Sequence, residues 1–161
     1  MRDDKLFFGL EQLYGVFDLD ARYKGKEHAF AIRAYPESDA LSKEWISTTF
    51  ADLSDASASV TGDYLEKACS SGCRSVLLVK ADTAAPYWHD YVVKHSRYIH
   101  FIKGRVTGNN GRPAPALAVV EIGVNIKGSA LVATFDMSKL DEPVFERVDY
   151  LARRAATERM L

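Results

Sequence analysis

The stretch WISTTFADLSD, Trp45 to Asp55, places carboxylates where chemistry can happen. A β-rich segment, ISTTFAD, runs into a short loop that carries Asp52, Ser54 and Asp55. Strand ends of this kind are where α/β sheets receive their ligands. A carboxylate there can accept a hydrogen bond from an amino group. Two further acids, Asp18 and Asp20, close the strand-like VFDLD. Cations gather elsewhere. Between Tyr91 and Val120 there is no Asp or Glu, but there are Lys94, Arg97, Lys103, Arg105 and Arg112. The chain holds 21 basic and 22 acidic residues, so without these five, 16 basic residues face 22 acidic ones. A net charge of −1 excludes a generally basic nucleic-acid binder. A basic stretch on an acidic body suits one place that grips a phosphate backbone, or a solvated face on which cations cluster.

Cys69 and Cys73, in CSSGC, lack a second ligand pair at metal-like spacing, and the four histidines His28, His89, His95 and His100 supply none. Two reduced, structural thiols and no metal are expected. A chain of 161 residues, 47% hydrophobic and 27% charged, has a globular balance. Chains of this order bury roughly 70% of their unfolded surface, enough for a sizeable core. No apolar run approaches the ~20 residues of a membrane helix, so no membrane association is expected. The opening MRDDKLFFGLEQLYG mixes acids with apolar residues at helical spacing, unlike the basic start and apolar run of a signal peptide. The expected location is cytoplasmic.

The elements that must position these residues follow from periodicity. Leu6, Phe7, Leu10, Leu13 and Tyr14 share one side of a helix that Gly15 can stop. VFDLD is then a short strand, and residues 21–44 form an irregular charged connection. TGDYLEKACSSG is a helix with Thr61 as its cap, Tyr64, Leu65 and Ala68 inward, and Gly72 at its end. RSVLLVKA is a strand buried on both faces. APYWHDYVVKH is a helix with Pro86 in its first turn; Trp88 reads as core and His89 as helix surface. YIHFIKGR is a strand, and TGNNGRPAP is a turn-rich loop. ALAVVEIGV and SALVATFDM are strands joined across NIKG as an antiparallel hairpin. EPVFERVDYLARRAATERML is an amphipathic helix. Strands alternating with helices imply a single α/β domain over residues 1–161, its sheet mainly parallel with a reversed hairpin at the end.

The order of these segments resembles the small phage-type DNA adenine-N6 methyltransferases. FFGLEQLYGVFDLDA is similar to that family's opening helix and Leu-Asp strand end, and DALSKEW to a phrase just before its catalytic strand. YLEKA resembles the helix after the catalytic loop, and LLVKADTAAPYWHDYV with IHFIKGRV two strands, a helix and a Lys-Gly-Arg turn. The likeness runs from Lys5 to Val120 and leaves residues 142–161 beyond it. It implies a methyltransferase-like, Rossmann-type sheet, S-adenosylmethionine as cofactor, DNA as partner and a bacteriophage context. Asp18 and Asp20 would lie near the cofactor, where a carboxylate can accept bonds from ribose hydroxyls or an amino group. The next residues, ARYKG, are bulkier and more basic than the small residues the family has there.

In that family the catalytic strand ends in Asn or Asp, then two prolines, then an aromatic residue. The first group and a neighbouring backbone carbonyl accept the two hydrogens of the adenine amino group, which aims its lone pair at the methyl donor. The prolines hold the carbonyl, and the ring stacks on the flipped base. Two placements are open here. STTF, Ser47 to Phe50, preserves the aromatic, and DLSD, Asp52 to Asp55, preserves the acid. Asp52 stands seven residues beyond Trp45, the interval expected for the motif, which favours DLSD. Asp52 and Asp55 are then the catalytic candidates, with Leu53 and Ser54 in the proline places. Asp55 has no π-face, forfeits base stacking of ~1–3 kcal/mol and adds negative charge beside DNA. Without prolines the carbonyl is expected to be unfixed by ring geometry, and small displacements of an attack geometry cost ~100-fold.

Lys103, Arg105 and Arg112 would reach phosphates, while Asn109 and Asn110 form the turn or read base edges. Three functions follow. One is a catalytically impaired methyltransferase homologue, a pseudoenzyme acting through nucleic acid or through a host or phage protein. Another is an active S-adenosylmethionine-dependent enzyme using Asp52. The third is an interaction module without DNA binding, whose last helix presents Val144, Phe145, Val148, Leu151 and Ala152.

Overall fold

The computed structural model describes residues 4–23, 31–108, 111–123 and 130–140. Within them the chain runs α1 (Asp4–Tyr14), β1 (Leu19–Tyr23), β2 (Arg33–Pro36), β3 (Thr48–Asp52), α2 (Ala58–Ser71) and β4 (Arg74–Lys80). A π-helical turn (Trp88–Val92) then passes into α3 (Val93–His95), followed by β5 (Ser96–Lys103), β6 (Leu117–Ile122) and β7 (Leu131–Asp136).

Local chemistry sets the ends of the helices. Leu6, Phe7 and Leu10 recur at helical spacing and are buried. The Gly15 amide donates to the Glu11 carbonyl at 2.7 Å. Its φ of 80° lies in the left-handed region, where glycine closes a helix at little cost. α2 starts one turn earlier than expected. Ser57 is its cap, its Oγ accepting the Val60 amide at 3.2 Å. Thr61, the expected cap, is instead buried on the inward side with Tyr64, Leu65 and Ala68.

The strands form one seven-stranded sheet in the order β2-β1-β3-β4-β6-β5-β7. β2, β1, β3 and β4 run parallel, β6 is antiparallel to both β4 and β5, and β5 is parallel to β7. The expected fold class holds: a mainly parallel α/β sheet with an antiparallel hairpin toward its end. The hairpin itself is β5 with β6, whereas a pairing of β6 with β7 was expected. The burial of the strands gives the reason. All six residues of β6 are buried, as an interior strand requires, while the first four of β7 are exposed, as an edge allows.

α2 and the π-helical turn cover one face, where Tyr64, Leu65, Trp88 and Val92 pack with Leu77, Val79 and Val120. α1 covers the other, its Leu6, Phe7 and Leu10 packing with Phe50, Val76 and Val119. β1 has β2 on one side and β3 on the other, so the direction of winding reverses between β1 and β3. The crevice at the carboxyl ends of those two strands is where ligands of such sheets bind. The amphipathic helix expected over residues 142–161 lies outside the described residues, as do Asn109, Asn110 and the NIKG turn. Among the described residues no helix is long and apolar enough to cross a membrane.

Candidate functional site

Asp52 is the last residue of β3, at the crevice. Its Oδ1 accepts the Ser54 amide at 3.0 Å and the Ser54 hydroxyl at 2.5 Å. The carboxylate therefore caps its own loop. Leu53 is fully buried, its amide donates to the Leu78 carbonyl at 2.8 Å and its carbonyl accepts the Ala56 amide at 3.1 Å. Burial and two hydrogen bonds pin Leu53 without a proline ring, and its carbonyl bonds inward.

Arg22, near the end of β1, organises the rest. Its Nη1 donates to the Asp52 carbonyl at 2.9 Å and to an Asp55 carboxylate oxygen at 2.6 Å. Its Nη2 donates to Glu37, just past β2, at 3.1 Å. The Arg22 side chain is 5% exposed, against 47% for Glu37 and 42% for Asp55. Burial works against the charge on Arg22, but Asp55 and Glu37 outweigh it and hold its pKa above the ordinary value. Behind it the Tyr64 hydroxyl reaches the Ala21 carbonyl at 3.5 Å, and burial, opposed by the Arg22 charge, pushes that hydroxyl up to about 12. Asp55 is thus ion-paired at close range with an arginine that it shares with Glu37. Arg22 and Glu37 were not among the expected site residues. The signal for Arg22 was visible in ARYKG, a large cation where the resemblance calls for small residues, whereas nothing local marks Glu37.

The strand-end placement expected of Asp18 and Asp20 is not met. β1 begins at Leu19 and runs on to Tyr23, so neither acid stands at its carboxyl end. The Asp18 amide donates to the Thr48 carbonyl at 2.9 Å, and its Oδ2 accepts the Thr48 amide at 3.2 Å. Asp18 lies at the edge opposite Asp52. Asp20 is the second residue of β1, buried, with its Oδ1 accepting the Arg22 amide at 3.1 Å.

The basic residues lie on the carboxyl edge. Lys103 ends β5, and because β6 is reversed, the loop 104–116 both leaves from and returns to that edge. Val106, 3% exposed, anchors it, and the Ala114 amide closes onto the Val106 carbonyl at 2.8 Å. Arg105 and Arg112 are exposed on this loop. The Lys103 ammonium stands 3.7 Å from an Asp136 carboxylate oxygen and is 72% exposed. Two hydrogen bonds from Ser138 hold the Asp136 carboxyl below its ordinary range, against slight desolvation. β5 is three strands along from β3, a lateral step of about 14 Å.

Two aromatics are core. Phe50 is 1% exposed, its ring 5.5 Å from Phe7 and 5.1 Å from Phe17, which removes STTF as a base-stacking motif. Trp88 is buried against Phe101, as expected. His89 is exposed, its Nε2 2.7 Å from the Thr83 carbonyl. Cys69 and Cys73 are free thiols, and burial raises the pKa of Cys69.

No protein-family model matches the chain. No curated protein matches it in sequence. Among solved structures, a crystal structure described as a predicted O-methyltransferase from Agrobacterium tumefaciens matches at 16% identity with a TM-score of 0.36, over 76% of this chain. The chain spans 58% of the length of that protein.

Proposed function

We propose that this protein is a methyltransferase homologue, of the DNA adenine-N6 type that its sequence resembles, which no longer transfers methyl groups and acts by gripping nucleic acid. One observation carries the reading: Lys103, Arg105 and the Arg112 loop share the carboxyl edge with Asp52. Three cations on one edge make a footing for phosphates, and phosphate contacts dominate affinity for DNA. The state of the motif supports the loss of transfer. Asp52 bonds its own loop, the Leu53 carbonyl bonds Ala56, and neither Asp55 nor the buried Phe50 offers a ring to a flipped base.

Asp52 keeps its place at the strand end beside the crevice, and that favours a second reading, an active enzyme using S-adenosylmethionine. The two separate in one set of measurements. Duplex DNA binding is followed against salt for the protein and for Lys103→Ala/Arg105→Ala/Arg112→Ala. Each lost phosphate contact lowers the log–log salt slope by about 0.9. The proposal expects a drop of about 2.7 in slope for the triple variant and no methyl incorporation. Methyl transfer abolished by Asp52→Ala would establish the enzyme. An unchanged salt slope would remove the nucleic-acid role and turn attention to a host or phage protein as partner.

A further inference from the structure

Arg22 places a cation inside the crevice that this kind of sheet offers to its ligands. Its guanidinium, near the end of β1, bridges the ends of the two strands that flank β1, namely β3 and β2. Nη1 holds the end of β3 and the loop beyond it through the Asp52 carbonyl and Asp55, and Nη2 holds Glu37 beyond β2. The carboxylates stand half exposed at the rim with the cation buried behind them. Such charge-assisted bonds are short and directional, and the planar fork of arginine suits two acceptors at once. Its Nε is buried without a hydrogen-bond partner. A buried polar atom left unpaired is unfavourable, so the arrangement is maintained by the other two nitrogens.

We propose that Arg22 is a built-in occupant of this crevice, a clamp that ties Glu37 to Asp55 and closes the crevice to nucleoside-bearing ligands. The inference rests on the reading above that the carboxyl edge has given up methyl transfer. Doubly wound sheets lay a nucleotide across the gap between the strands where winding reverses, against backbone that must be reached closely. Here that approach is filled by a side chain fastened at three points. Entry of a ligand requires Arg22 to swing out, breaking all three bonds.

The test is thermal unfolding of the full chain with S-adenosylmethionine or ATP, each at millimolar concentration. The unaltered protein is expected to show no shift. Arg22→Gly is expected to gain a rise of about 5–10 °C once ligand reaches about 100 times its Kd. If Arg22→Gly does not unfold cooperatively, Glu37→Ala/Asp55→Ala takes its place, since it keeps the arginine but removes both rim acceptors; the same gain is expected. An equal shift in the unaltered protein, or no gain in the folded variant, overturns the clamp. DNA binding of the same variant reads the other proposal separately. A gained ligand shift without any DNA binding would leave the clamp standing and sink the nucleic-acid role.

Discussion

At the edge of the sheet opposite the crevice, the Arg74 Nε donates to Glu121 Oε1 at 2.6 Å, and the glutamate is 2% exposed while the arginine is 47% exposed. The guanidinium also lies over the Tyr14 ring, 5.1 Å from its centre. Removing one partner of a buried pair leaves an uncompensated charge, whereas replacing both by apolar groups is often neutral. Arg74→Met is expected to cost about 3 kcal/mol in urea unfolding, at the low end for such pairs because the arginine keeps contact with water. Arg74→Met/Glu121→Leu should recover most of that loss. Equal losses in the single and double variants would show that the pair is not coupled.

His100 packs beside this pair, between the edge of Tyr14 and the face of Tyr98. Burial lowers its pKa below the ordinary 6.5, with Glu121 pulling the other way. Below that value the unfolded chain takes up a proton that the folded chain resists. The contribution of His100 to stability is therefore complete above 6.5 and is lost as pH falls toward the folded pKa. His100→Asn should flatten this part of the stability profile between about pH 7 and pH 5, measured as urea midpoints. A profile that stays parallel to that of the unaltered protein would remove His100 as its source.

Phe50, the ring of the discarded STTF placement, separates core from site. Its removal as Phe50→Ala should cost about 3–5 kcal/mol, because Phe7 and Phe17 cannot close the space it leaves. The milder Phe50→Leu should leave DNA affinity unchanged at a temperature where the protein stays folded. A selective loss of DNA binding in that variant would return Phe50 to the site.

The cap of α2 gives a local test. Ser57→Ala should lose about 1 kcal/mol, since the Val60 amide then has only water to bond. Hydrogen exchange should rise first in the opening turn, at Val60 and its neighbours. Unchanged exchange there would mean that the hydroxyl is not holding the turn.

The parts of the fold that local patterns determine were legible in the sequence. The α1 stripe, the Gly15 and Gly72 stops and the buried run of β4 each follow from spacing within a few residues. Legibility failed where distant partners decide. Asp18 reads as the end of a strand until Thr48, 30 residues on, takes both its amide and its carboxylate. β6 and β7 read as a hairpin because adjacent strands usually pair, whereas β6 lies between β4 and β5. At the candidate site, Asp52 and the basic residues stand out in the sequence by type and position, and the structure sets them on one edge of the sheet. The Arg22 contact to Asp55 spans 33 residues and leaves no periodic trace.

The reversed β6 sets the sequence of events as the chain emerges during synthesis. β1 to β4 can pair as soon as Lys80 is available, but the free side of β4 is completed only by residues 117–122. For the intervening stretch of synthesis, the apolar run from Val76 to Val79 presents unsatisfied backbone groups to any other extended chain. A nascent or truncated chain that stops before Leu117 is thus the aggregation-prone form of this protein, and a chaperone that shields the open side of β4 should raise its yield.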